Sequence, residues 1–259
     1  WCLALLLAAG LSAIGFVDDR RSLPVASRLA AQLLAAGLLL AALWPELGAT
    51  EQAAILAPAC LLWLVGFSNL FNFMDGIDGF AASQAVFAGG AAAALALSNG
   101  APGSTVLFLA SLAAAVLGFL PWNWSPARLF MGDAGSLLLG FLFAAVGVLC
   151  VLHADLPWEV WAILWAPFLT DGLLTLFGRA LRGEVLTSAH REHAYQRYAL
   201  HRGSHRPVTL TLLALDIGWL LPLAALALRL PEYSILILLL AAAPVLLIFF
   251  RSPAAPRPV

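Results

Sequence analysis

Lysine is missing from the 259 residues, and charged side chains of both signs reach only 10%, where a soluble domain carries about 25%. Such a chain cannot clothe a water-facing surface of ordinary size. The thirteen basic residues, all arginine, are offset by fourteen acids for a net charge of −1. That balance excludes a nucleic-acid binder, which shows a basic surplus on one face. Cysteine is scarce too. Cys2, Cys60 and Cys150 each lie in an apolar run without paired or metal-type spacing, so they are expected as buried packing residues rather than a disulfide framework or zinc ligands. The first apolar run is expected to be a membrane span rather than a secretory leader, since it has no basic region before it and no small-residue cleavage pattern ahead of GFVDD. No repeat, low-complexity block or soluble domain interrupts the sequence, which reads as one integral-membrane domain over 1–259.

What the chain has in abundance is apolar residues, 63% of the total. With about 20 residues needed per crossing, they sort into nine segments, near 1–16, 27–44, 53–72, 80–97, 104–121, 136–152, 158–177, 208–228 and 233–250. The predicted fold class is all-α, a polytopic transmembrane helix bundle of about nine spans. Alternation of sides puts connections 17–26, 73–79, 122–135, 178–207 and the tail from 251 on one face. Twelve of the thirteen arginines lie in or beside that set, and only Arg229 lies with the other, so the first set is expected to be cytoplasmic.

Five aspartates fall at junctions of that same set: Asp18 and Asp19 in GFVDDRRSL, Asp75 and Asp78 in NLFNFMDGIDG, and Asp133 in NWSPARLFMGDAGS. A carboxylate at a helix centre in the bilayer costs roughly 2.5–3.5 kcal/mol, so the cluster asks for a cation and a phosphate to serve. Asn69, Asn72, Asp75 and Asp78 recur every three residues, and Gly76 and Gly79 predict a turn through Asp75-Gly76 between two helices. Such a turn either caps its helices or binds a nucleobase edge, a cation or a metal-bound phosphate. Asn123, Arg128, Phe130 and Asp133 form a second junction, where Phe130 is either an interfacial anchor or a stacking platform. In the long loop 178–207, His190 and His193 share a helical spacing, as do His201 and His205. No ligand set completes a zinc site there, and donors to a pyrophosphate are the more economical role. Asp171 and Asp216 lie deeper in their segments, where helix–helix hydrogen bonding and function are equally open. Two rival classes also accommodate membrane carboxylates. A cation-coupled transporter puts them at mid-bilayer on broken helices, and an intramembrane aspartyl protease needs two facing each other.

Four strings, GFVDDR, NLFNFMDGIDG, PWNWSPARLFMGDAGS and the histidine-bearing loop, together resemble the polyprenyl-phosphate N-acetylhexosamine-1-phosphate transferase superfamily (glycosyltransferase family 4) in order and sidedness. HREHAYQR differs from the histidine triplet of the peptidoglycan translocase and is closer to the O-antigen-initiating branch. The resemblance implies transfer of a sugar-1-phosphate from a UDP-N-acetylhexosamine, or a 6-deoxy relative, to polyprenyl phosphate, at the cytoplasmic face of a bacterial inner membrane. It implies magnesium on Asp133, with manganese able to substitute. Asp18, Asp19 and Asp78 would join Asp133 in the catalytic centre, Asp19 as proton acceptor. Asn69, Asn72, Asp75, Gly76, Asn123 and Phe130 would bind the uracil and its surroundings, and His190, Arg191 and His193 the diphosphate or sugar. The superfamily's ten or eleven spans imply about two more upstream of Trp1, along with a basic glycine-rich loop that this sequence lacks, and a homodimer is compatible with it.

Overall fold

In lipid the backbone must satisfy its own hydrogen bonds, and a helix does so segment by segment. The computed structural model describes residues 1–47, 51–185 and 191–253, and every regular element among them is helical. In chain order these are α1 (Cys2–Arg21), α2 (Val25–Ala42), the single turn α3 (Trp44–Leu47), α4 (Glu51–Met74), α5 (Phe80–Ser98), α6 (Gly103–Asn123) and α7 (Gly132–Leu152). There follow α8 (Trp158–Leu164), α9 (Ala166–Leu181), α10 (Ala194–Arg202), α11 (Arg206–Leu215), α12 (Leu221–Arg229) and α13 (Ser234–Phe250). Among the described residues eight helical stretches are long and apolar enough to cross a membrane, and α8 with α9, bent by 79°, make a ninth if the pair is one span. Their outer faces carry bare hydrocarbon. Leu6, Ile55, Leu62, Leu107 and Phe250 are each 69–75% exposed, which lipid tolerates and water does not. The chain is a multi-pass membrane protein.

Residues group into two compact units, Trp1–Asp75 with Met131–Asp155, and Gly76–Phe130 with Leu156–Val259. In the first, α7 is central: 78% of its apolar window is buried, against 28% for each of α1, α2 and α4. Missing side chains let the backbones close up. A Cβ on Gly15 would overlap the Asp133 carbonyl, and one on Gly140 would lie 2.9 Å from the Ser68 Cα. Phe71 stacks on Phe143, and the Trp63 indole donates to the Ala144 carbonyl at 3.1 Å. In the second unit the alanine-rich α5 is central, also 78% buried, and Gly89 brings it against Ala113 of α6. Pro167, which cannot donate to an extended α8 ladder, follows the α8–α9 bend. A π-helical turn, Asp216–Leu220, joins α11 to α12.

Two expectations are corrected. The segment from residue 17 is helix rather than connection as far as Arg21, so Asp18 and Asp19 ride the last turns of α1; Ser22 ends it in the left-handed region (φ 49°), donating its N–H to the Asp18 carbonyl. The thiols are not uniformly buried. Cys150 is buried, Cys60 partly so, and Cys2 exposed, because a thiol is apolar enough to face lipid.

Candidate functional site

The first unit brings Asp18, Asp19, Arg28, Asn72 and Asp133 together where α1 ends and α7 begins. Four unpaired backbone N–H groups open every helix, and two of those of α7 are met from outside by α1. Asp19 Oδ1 accepts the Asp133 N–H at 2.9 Å and Oδ2 the Ala134 N–H at 3.2 Å. Gly132 makes the approach possible. Its φ of +61° suits glycine, and a Cβ there would lie 2.6 Å from Asp19 Oδ2. Both oxygens of Asp19, the expected proton acceptor, thus face backbone donors.

Asp18, buried, turns the other way. Its Oδ1 accepts the Leu23 N–H at 2.5 Å, and Oδ2 lies 2.7 Å from Arg28 Nη1. The same nitrogen reaches Asp133 Oδ2 at 2.9 Å. Asp133 Oδ1 accepts Asn72 Nδ2 at 2.7 Å, while Asn72 also donates to Ser136 Oγ at 2.8 Å. Asn72 therefore orients the carboxylate from α4. One turn earlier, Asn69 is held by Gln32 of α2, its Nδ2 donating to Gln32 Oε1 at 2.6 Å. Asp75, just past α4, is half-buried; that burial, and then the Asp133 charge, push its carboxyl up to about 7.

An open cavity of about 380 Å³ is lined by Asp18, Asp19, Ser22, Leu23, Arg28 and Asp133. Among the described residues no three His, Cys, Asp or Glu side chains form a metal cage. Magnesium asks for less, taking one or two carboxylates and completing its shell with water and phosphate. Asp18 and Asp133 fit that demand, because their carboxylates already converge on one cationic nitrogen of Arg28.

The second unit holds the remaining predicted residues. Asp78 is tied into its own surroundings: Oδ2 accepts the Ala127 N–H at 3.1 Å, Oδ1 lies 3.3 Å from His205 Nδ1, and its carbonyl accepts Thr209 Oγ1 at 3.2 Å. Buried Asn123 braces the same loop, accepting the Gly79 N–H at 3.1 Å and donating to the Leu129 carbonyl at 3.0 Å. Phe130 is 71% exposed. A cavity of about 540 Å³ has Gly76, Ser125, Arg191, Gln196, Ser204 and His205 in its wall. His193 is absent from that lining and is buried at 1% exposure, its Nδ1 3.4 Å from Asp171 Oδ1. His190 lies outside the described residues.

Within the first unit, then, Asp18, Asp19, Asn72 and Asp133 come together, with Asn69 and Asp75 beside them. Arg28 and Gln32 were missed by the sequence reading. Their signal was available, a cation and an amide four residues apart in an otherwise apolar segment, but Arg28 was counted as topogenic charge.

The sequence model of glycosyl transferase family 4 matches residues 1–151, which include this whole carboxylate cluster. The chain belongs to that family. Among similar proteins, the phospho-N-acetylmuramoyl-pentapeptide-transferase of Lacticaseibacillus paracasei is 36% identical over 169 residues, 58% of this chain and 50% of the relative. The Geobacillus kaustophilus protein of the same name is 38% identical over 171 residues, 58% and 52% of the two chains. A probable undecaprenyl-phosphate N-acetylglucosaminyl 1-phosphate transferase of Bacillus subtilis is 31% identical over 175 residues, 66% and 48%. The chain spans about half the length of these relatives. The family 4 match ends at residue 151, ahead of loop 178–207.

Proposed function

We propose that this chain carries the transfer of an N-acetylhexosamine-1-phosphate from a UDP-sugar to polyprenyl phosphate, giving polyprenyl-diphospho-sugar and UMP, at the cytoplasmic face of a bacterial inner membrane. An oxygen of the lipid phosphate attacks the β-phosphorus of the UDP-sugar, and the bond from that phosphorus to the bridging oxygen breaks to release UMP. The carrying observation is the convergence of Asp18 and Asp133 on Arg28 Nη1, at 2.7 and 2.9 Å, with Asn72 fixing the second oxygen of Asp133. Two carboxylates around one positive centre form a seat for a divalent ion and an anionic group.

Asp133 and Asp18 would hold magnesium, which supplies neutralisation of the diphosphate and of the departing UMP. Asp19 keeps Asp133 in register by capping α7, and Arg28 offers its charge to a phosphate oxygen. The acceptor phosphate has a second pKa near 6, so it is largely dianionic at neutral pH and little base strength is required. Of the residues the resemblance gives to the nucleotide, Asp75 lies in the first unit and Gly76, Asn123 and Phe130 in the second, where Arg191 and His205 line the 540 Å³ cavity and are assigned to the phosphates of the UDP-sugar. The wording of HREHAYQR favours the O-antigen-initiating branch, with GlcNAc or a 6-deoxy relative as the sugar.

The test is UMP release from UDP-GlcNAc, or a 6-deoxy analogue, by the purified protein with and without undecaprenyl phosphate. Release that requires the lipid supports the reading. Absence of UMP from every UDP-sugar, with cation flux into liposomes instead, would replace it by the cation-coupled transporter that an acidic cluster also permits.

A further inference from the structure

Asp171 is 5% exposed in α9, and its partners lie chiefly in a segment that begins more than twenty residues later. Oδ1 accepts the Ala194 N–H at 2.9 Å and Oδ2 the Tyr195 N–H at 3.0 Å, so one carboxylate caps α10 from a different helix. Thr175 Oγ1 donates to Oδ1 at 3.1 Å and orients it, and His193 Nδ1 stands 3.4 Å away.

The residues so fixed reach the cavity. The Tyr195 ring packs on Phe80 at 4.9 Å and on the His193 imidazole at 5.7 Å. Its hydroxyl meets the backbone of Gly76 so closely that a Cβ there would overlap it, and the same Cβ would lie 2.5 Å from Gln196 Nε2. Gly76, Gln196 and Arg191 all line the 540 Å³ cavity. A shift of the first turn of α10 therefore moves the Gln196 amide and the Tyr195 hydroxyl against Gly76.

We infer that Asp171 is a positioning residue for donor choice: by pinning the start of α10 it sets the gap between Gly76 and the Tyr195–Gln196 pair, and so which sugar nucleotide the cavity accepts. This rests on the reading of that cavity as the UDP-sugar site. A residue that merely holds the fold would, when altered, lower turnover of all donors alike. One that positions a polar wall changes their ranking, because a site built to hydrogen-bond a group discriminates strongly against analogues lacking it.

Two variants of the full chain test it. Asp171→Asn keeps the shape but leaves one acceptor oxygen for two backbone donors, and Thr175→Val removes only the hydroxyl that orients the carboxylate. The KM for UDP-GlcNAc is expected to rise about tenfold in the first, the loss of one hydrogen bond to a charged group, and about twofold in the second, with kcat little changed. The preference between UDP-GlcNAc and its 6-deoxy analogue should narrow in both. Hydrogen exchange at the Ala194 and Tyr195 amides should quicken whether or not turnover is measured. Unchanged exchange, or an equal fall of kcat for both donors at constant KM, overturns the inference. Faster exchange in a protein that turns over no UDP-sugar would instead overturn the assignment of the cavity, leaving the Asp171–α10 link standing and its part in donor choice refuted.

Discussion

The carboxylate of Asp19 receives the backbone N–H of Asp133 at 2.9 Å, across 114 residues of chain. Asp19→Asn leaves one acceptor oxygen and turns an amide NH₂ toward a backbone donor. A loss of about 1–2 kcal/mol in stability is expected, as for removal of a helix cap, with a marked fall in turnover because Asp133 shares that turn. Thermal melting in detergent alongside UMP release checks this. Lost turnover at unchanged melting would make Asp19 a group that acts on substrate alone.

Asp133→Asn preserves size and the hydrogen bond from Asn72 while removing the charge that a divalent ion needs. Turnover should disappear with the melting temperature nearly intact. A magnesium dependence equal to that of the unaltered protein would sink the metal assignment.

Arg28→Ala leaves the carboxylates of Asp18 and Asp133 facing one another without their shared cation. Destabilisation of about 1–3 kcal/mol is expected from the unpaired charges. Millimolar MgCl₂ should raise the melting temperature more in this variant than in the parent, since the ion can take the guanidinium's place. Equal response in the two proteins would refute a seat between those acids.

The Asp75 carboxyl, held up at about 7 by burial and by the Asp133 charge, gives a signed pH effect. An unfolded chain ionises this group near pH 4, so from about pH 4 to 7 the folded form binds the extra proton and stability falls as pH rises. Above 7 that penalty is complete. The protein should therefore melt lower at pH 8 than at pH 6, and Asp75→Asn should flatten the difference; an equally steep fall in the variant would falsify the assignment.

Arg191 and His193 should part company. Arg191→Ala removes an exposed cation from the cavity wall and should weaken UDP-sugar binding or reorder donors at unchanged melting. His193→Ala empties a buried position against Asp171 and Tyr195, so its first effect should be a loss of about 1–3 kcal/mol in stability, read as a lowered melting temperature. Identical behaviour of the two would place both in one role.

The sequence revealed the spans well, because lipid imposes a strong and local signal: each predicted apolar segment corresponds to a helix, with 158–177 emerging as the bent α8–α9 pair. It also exposed the junction aspartates, since a charge beside twenty apolar residues is conspicuous. Partners were harder. Hydropathy assigns Asp18 and Asp19 to a loop, yet α1 carries them because Arg28 and the start of α7 receive them there. Arg28 itself was hidden among twelve arginines that a charge-bias argument explains equally well. The cap that Asp171 gives α10 links residues 23 and 24 apart, and no periodicity announces a contact of that kind.

The cap on α7 has a consequence for synthesis. Asp19 emerges more than a hundred residues before the amides it serves, which at 5–20 residues per second is a delay on the order of ten seconds. Throughout that interval α1 must wait in the bilayer with two carboxylates, of which Asp18 can find Leu23 and Arg28 within ten residues of chain while Asp19 stays uncommitted. Their position on its final turns, beside Arg20 and Arg21, lets water and headgroups shelter the charges until the seventh helix arrives. The same acids placed a few turns deeper would burden every nascent chain with their desolvation, so the timing of insertion favours the membrane surface for this cluster independently of any chemistry performed there.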